Sequence, residues 1–134
     1  DAPDFAGNAV LKARGFRRWA IANRLEVDRI VADDSGLCVD LLGGRPGVHS
    51  ARYSGLPSDH PGLDAANNQT LVAELRALGI DESPAEYRCA LACIRLDPRL
   101  PRPADQDDEL TVVEGSCRGI ARVLARGSGG FGYD

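Results

Sequence analysis

The sequence predicts an α/β fold. Two stretches, 5–24 and 59–78, repeat their apolar residues at helical spacing, and the runs at 29–32, 86–97 and 110–113 have the composition of strands in one sheet. At 134 residues the chain suits one domain, with 43% hydrophobic residues for a core and 27% charged residues for a water-facing surface.

In the first helix Phe5, Ala9, Ala13, Phe16 and Ala20 form the apolar stripe, with Trp19 beside them. Asp4 is placed to cap its start, and Asn23 with the charged residues after it suits its end. Lys12, the only lysine, lies opposite part of the stripe and reads as a solvated residue. The strand at 29–32 then runs into Asp33-Asp34-Ser35-Gly36. Asp, Ser and Gly are turn residues, so a polar turn is one reading. The other is chemical. In open α/β sheets ligands gather beyond the carboxyl ends of strands, and two acids there can hold a hard cation such as Mg2+ or activate a water.

Residues 37–42 form a second extended piece, and Gly43-Gly44 with Pro46-Gly47 impose a tight loop. Arg52 and Tyr53 follow in a packed loop. The second helix carries Leu63, Asn67, Leu71, Leu75 and Leu78 on one stripe, flanked by Thr70 and Glu74. Ser58 or Asp59 would cap it, and Gly79 supplies the left-handed residue at its end. Residues 86–97 are apolar at successive positions, which predicts a central strand buried on both faces. Pro98 to Glu109 reads as a loop without periodicity; 110–113 would return beside 91–96 as a long hairpin, with 120–124 a further strand. Gly127-Ser128-Gly129-Gly130 is a Gly-rich loop without the spacing of a Walker phosphate loop, and it leads to Phe131-Gly132-Tyr133-Asp134.

Several function classes lose support. A net charge of −4 implies no general affinity for nucleic acid. There is no run long enough to span a bilayer and no secretory signal pattern. Cys38, Cys89, Cys93 and Cys117 form no Cys-x-x-Cys and read as buried free thiols of a cytosolic protein. His49 and His60 are isolated and read as surface or packing residues. Asp105, Asp107 and Asp108 lack the offsets of a calcium loop. A phosphate-accepting receiver domain would need a lysine on a later strand, and Lys12 precedes the acids.

The run Ala32 to Gly55 resembles the signature of the inosine/xanthosine triphosphate pyrophosphatase family of house-cleaning nucleotide hydrolases. Asn8-Ala9-Val10-Leu11-Lys12-Ala13-Arg14 and Gly129 to Asp134 are similar to two further stretches of that family, in the same order. The resemblance implies a mixed, twisted sheet with flanking helices and a cleft between two lobes. It implies Mg2+-dependent hydrolysis of ITP, dITP and XTP to the monophosphate and pyrophosphate, in a cytoplasmic homodimer.

On the motif match Asp34 is the general base and a metal-linked acid, and Asp33 is an acid of the second rank at the metal. Ser35, Phe131, Gly132, Tyr133 and Asp134 correspond to nucleotide contacts. Against that pattern the chain reads as a single domain incomplete at both ends, without the family's opening phosphate-contacting strand or its closing Ser-His-Arg. Gly7 stands where relatives often carry an acid, and Cys117-Arg118 where they often carry Trp-Pro. The competing expectation is therefore a fragment or nucleotide-binding module that keeps the fold without turnover.

Overall fold

A computed structural model describes residues 1–96, 109–124, 130, 132 and 133. In chain order they form helix α1 (Phe5–Ala22), strand β1 (Arg29–Val39), a 3-10 turn (Asp40–Leu42), the short strand β2 (Arg45–Pro46), a second 3-10 segment (Gly47–Arg52), helix α2 (Leu63–Ala77), and strands β3 (Glu82–Arg95) and β4 (Glu109–Arg122). The four strands make one sheet in the order β2-β1-β3-β4, so the α/β class and the interior place of β3 are as expected.

Both helices are built as local chemistry dictates. Asp4 accepts the Gly7 N–H at 2.7 Å, satisfying a donor that the first turn leaves unpaired. Each helix ends in the same paired arrangement. Arg24 N–H reaches Ile21 O and Leu25 N–H reaches Ala20 O after α1, while Gly79 N–H reaches Arg76 O and Ile80 N–H reaches Leu75 O after α2. The pivot residue is left-handed in both: Gly79 at φ +69° is at ease there, and Arg24 at φ +54° is not. α2 departs from expectation at its start. It begins at Leu63 after Gly62, with no side-chain cap from Ser58 or Asp59. A turn closed by Leu63 N–H on His60 O occupies that stretch instead.

The strands run further than composition suggests. β1 does not stop at the acids but continues to Val39, because cross-strand pairing outweighs the turn preference of Asp-Asp-Ser-Gly. β4 is one strand of 14 residues rather than two short ones. Ion pairs hold it to β3 along its length: Arg95 with Glu109 (3.2 Å), Arg118 with Glu86 (3.1 Å) and Arg122 with Glu82 (3.2 Å). These pairs run antiparallel and share a single register. The hairpin expected between 91–96 and 110–113 is thus present and longer. The loop expected over 98–109 lies almost wholly outside the described residues.

The chain divides into two compact units. One comprises Asp1–Asp34 with Cys89–Gly115. Its buried apolar residues are Phe5, Ala9, Ala13, Ala20, Ile30, Ala90, Ala92, Ile94 and Leu96. Phe16, expected on the apolar stripe, and Trp19, expected beside it, are exposed at 60% and 52% and lie against each other, rings 5.4 Å apart. Arg17 is buried in their place at 1%. β3 buries alternate residues here and leaves Leu91 41% exposed, so it is covered on one face rather than both.

The other unit comprises Ser35–Arg88 with Ser116–Asp134. Its core is Leu37, Val39, Leu42, Leu71, Leu75 and Ala85, with Tyr53, Ile80, Ala121, Val123 and Tyr133 packed against it. Asn67 and Leu71 of the predicted stripe are buried with Leu75, but Leu78 lies past the last turn and is exposed.

Candidate functional site

Asp34 is the centre of the first unit's polar chemistry. Consecutive strand residues point to opposite faces, and on β1 this turns Asp34 toward α1 while Asp33 and Ser35 face the other way, both exposed. α1 offers Asn8 and Lys12, one helical turn apart and so on one face. Asn8 Nδ2 donates to Asp34 Oδ2 at 3.1 Å. Lys12 Nζ donates to Asp34 Oδ1 at 2.7 Å and to the Asp33 main-chain oxygen at 2.9 Å. Asn8 is itself fixed, since the Ala2 N–H donates to its Oδ1 at 2.8 Å, and that assigns the amide orientation. The Asp34 side chain is 14% exposed and that of Lys12 is 56% exposed, so the pair is reachable from solvent through the lysine.

Lys12 is therefore no idle surface residue but the partner of Asp34, a contact that reasoning from sequence passed over. The signal was present: Asn8 and Lys12 stand four apart in the motif that resembles the pyrophosphatase family, where a helix puts both on one side. The same region accounts for Gly7. A Cβ there would stand 2.5 Å from Ala2 Cβ and 3.0 Å from Asp4 Oδ1, so no acidic side chain fits at this position as the N-terminal turn is folded.

Of the expected acidic pair, the structure brings Asp34 to Asn8 and Lys12 and leaves Asp33 on the opposite face. The two carboxylates do not converge. Among the described residues no group of three or more His, Cys, Asp or Glu side chains could enclose a metal. The donor set does suit a cation of the Mg2+ kind, which keeps several waters and is bound through one or two carboxylates plus substrate phosphates rather than in an all-protein cage.

In the second unit, Ser35-Gly36 leads β1 onward into a tight contact. The Ser50 hydroxyl accepts the Leu37 N–H at 2.9 Å and donates to Gly47 O at 2.6 Å. Ser50 also presents its carbonyl to Tyr133, whose hydroxyl donates to it at 2.8 Å. Gly132 O accepts from Asn68 Nδ2 at 2.6 Å. Two residues of the predicted nucleotide loop are thus tied to the 47–52 segment and to α2. Phe131 and Asp134 lie outside the described residues.

Tyr133 also lines a cavity of about 510 Å3 within this unit, with Leu37, Asn68, Leu71, Tyr87 and Arg118 among its walls. That volume falls in the range of small-molecule sites. Burial raises the Tyr133 phenol well above the usual tyrosine range. Burial, with the Glu74 carboxylate beside it, pushes Tyr53 up to about 12.

Glu86 and Arg118 form a second polar cluster. Arg118 Nε meets Glu86 Oε2 at 3.1 Å and its Nη1 meets Asp40 Oδ2 at 3.0 Å, while Arg88 Nε meets Glu86 Oε1 at 3.1 Å. A hydrogen bond from Ser116, then the two arginines, hold the Glu86 carboxyl below its ordinary range. Arg118 in place of a Trp-Pro turn therefore has a structural use, as the cross-strand partner of a buried acid. The four cysteines are free thiols but not buried as expected: Cys117 is exposed, and Cys38, Cys89 and Cys93 are half-buried, Cys89 and Cys93 because they lie with Leu91 on the less covered face of β3; partial burial raises Cys38. His60 is exposed and accepts the Gly62 N–H in the turn before α2.

Comparison with known proteins agrees with these motifs. The sequence matches the Ham1 family over residues 1–134. It is 44% identical to the dITP/XTP pyrophosphatase of Geobacillus kaustophilus, an alignment that takes in 100% of this chain and 59% of that protein. Among solved structures it is similar to a HAM1 protein from Coxiella burnetii, with a TM-score of 0.77 and 28% identity over 99% of this chain and 58% of that one. It is also similar to the nucleoside-triphosphatase, or dITP/XTP pyrophosphatase, of Mycobacterium abscessus, with a TM-score of 0.68 and 34% identity over 100% of this chain and 58% of the other. The chain spans less than two thirds of the length of each of these relatives.

Proposed function

Because this chain belongs to the Ham1 family, we propose that the protein carrying it hydrolyses deaminated purine nucleoside triphosphates, namely ITP, dITP and XTP, to the monophosphate and pyrophosphate. In this reading water adds to the α-phosphorus, the bond from that phosphorus to the α,β-bridging oxygen breaks, and pyrophosphate leaves. Asp34 is the general base that takes the proton of the attacking water. The observation that carries the reading is the Asp34 carboxylate held between Asn8 and Lys12.

Each group has a physical task. Asn8 fixes Oδ2 and restricts the carboxylate to one orientation, which is what positioning a water requires. Lys12 has three N–H donors. Two are engaged by Asp34 and the Asp33 carbonyl, and the third is left for a phosphate oxygen, next to charge that builds up as the phosphoryl group transfers. Asp34 is the residue we assign to a divalent cation, Mg2+ by its oxygen donors, and a cation there would neutralise phosphate charge and lower the pKa of bound water. Asp33, facing the other way, would act on that site only from outside it.

The purine end is assigned to Phe131, Gly132, Tyr133 and Asp134, with Ser35 a further contact. Support comes from the ties that Gly132 and Tyr133 make and from the cavity that Tyr133 lines. A 6-keto purine is selected by donors that an amino group leaves unpaired. On the family resemblance the complete protein is further read as a cytoplasmic homodimer.

The test is steady-state release of pyrophosphate from dITP, XTP, ATP and GTP by the purified protein in Mg2+. A specificity constant for dITP or XTP well above those for ATP and GTP is expected. Equal constants for ATP and dITP would end the substrate assignment, and no release from any of the four would leave a nucleotide-binding fold without turnover.

A further inference from the structure

We propose that Asn68 is a positioning residue for nucleotide binding, acting through the Gly132 carbonyl to hold the Gly132–Tyr133 segment in the shape that receives the nucleotide. The proposal rests on the functional reading above. Gly130 and Gly132 have φ of +94° and +58°, conformations that glycine enters readily and leaves as readily. Such a segment holds one shape only if something outside it does the holding.

Two hydrogen bonds do so, and they come from different elements. Asn68 Nδ2, on the second turn of α2, reaches Gly132 O at 2.6 Å across a sequence separation of 64 residues. The Tyr133 hydroxyl reaches Ser50 O at 2.8 Å across 83 residues. Both anchors are stiff. α2 is fixed to the core by Leu71 and Leu75, and Ser50 is clamped by Leu37 N–H and Gly47 O. The neighbouring Asn67 is occupied elsewhere, accepting the Ser54 N–H at 2.8 Å, so the two adjacent amides divide the work and cannot substitute for each other.

A latch of this kind lowers the ordering cost that binding would otherwise carry. Its hydrogen bond ends on the Gly132 carbonyl. Its loss therefore weakens binding and leaves the chemical step alone, which separates it from a general structural defect.

The experiment compares wild type, Asn68→Leu, Asn68→Gln and Tyr133→Phe in the complete protein, with dITP and Mg2+. A single neutral hydrogen bond sets the scale at about three- to tenfold. Asn68→Leu is expected to raise KM by that factor with kcat within about twofold, and Asn68→Gln, which keeps the donor, to recover part of it. Amide exchange at Gly132 and Tyr133 should quicken in Asn68→Leu and Tyr133→Phe, while exchange at Leu71 and Leu75 stays as in wild type. An active wild type with unchanged KM and exchange in Asn68→Leu overturns the latch and leaves the functional reading standing. So does a fall in kcat with a lowered Tm that Asn68→Gln does not repair. A wild type that hydrolyses neither dITP nor XTP removes the functional reading, and the latch with it.

Discussion

Gly36→Ala is expected to be among the most damaging single-methyl additions in the chain. An alanine Cβ at that position would stand 2.5 Å from Gly47 O, 2.5 Å from Ser50 Oγ and 3.0 Å from Ser50 Cβ. The first two contacts are roughly an ångström or more inside the optimum of about 3.5–4.0 Å for non-bonded carbons. Ser50 could rotate away, but it would abandon the Leu37 N–H and the Gly47 carbonyl together. A buried donor left unmade costs about 1–3 kcal/mol.

Gly47 O is main chain and has no rotation to offer, so β1 must also move away from the 47–50 segment, at about 1–3 kcal/mol for overpacking. The gain from replacing a strand glycine by alanine is roughly 0.5–1 kcal/mol in the other direction. The net expectation is a loss of about 2–4 kcal/mol, a large part of the roughly 5–15 kcal/mol that holds an ordinary domain together. Urea unfolding followed by circular dichroism measures it, and with m of about 1–3 kcal/mol/M the midpoint should fall by roughly 1–4 M.

Gly15→Ala is the control. It lies inside α1, its Cβ would meet nothing within 4 Å, and it should stabilise by about 0.5–1 kcal/mol. A Gly36→Ala loss under about 0.5 kcal/mol, outside the overpacking range, would refute the argument from close approach.

Two further predictions concern charge. Asp34→Asn keeps shape and loses basicity, so turnover should drop by about 10²–10⁴-fold, far more than for Asp33→Asn or Ser35→Ala on the opposite face of β1; saturating Mg2+ and nucleotide with a folding check settles it, and retention of more than about a tenth of the rate, outside the general-base range, would move the base elsewhere. For alkaline stability, Tyr53 has a folded pKa raised above its ordinary value, so its contribution is whole below about pH 10 and is lost as pH rises from there through about 12. Tyr53→Phe should flatten that part of the pH–stability curve, and a curve identical to wild type between those limits would show the shift is not real.

What could be read from residues alone was what depends on neighbours in the chain. The Asp4 cap, the Gly79 pivot and the Leu71–Leu75 stripe were legible because helix chemistry is local. Asp34 stood out because a long motif surrounds it, but its partners Asn8 and Lys12 emerged only in the fold. The length of β1 and β4 was not, since Asp-Asp-Ser-Gly and the glycines at 115 and 119 argue for turns until a partner strand pairs with them. Phe16 and Trp19 misled for a related reason. Periodicity shows that a face is apolar, not that anything covers it. Lys12 and Asn68 act across separations of 22 and 64 residues, where no local pattern carries the information.

The single register shared by the three ion pairs of the β3–β4 hairpin also bears on how the chain finds its fold. Two strands of 14 residues must meet across a connection more than ten residues long, and pairings made at such distances are slow and easily misaligned. A shift of one position along the ladder would set Glu82, Glu86 and Arg95 opposite Val123, Gly119 and Leu110. All three attractions would vanish in one step, and the apolar residues would change sides. Spaced along the hairpin as they are, the charges act as a proofreading code: each pair is worth little on its own, and their agreement marks one alignment as right.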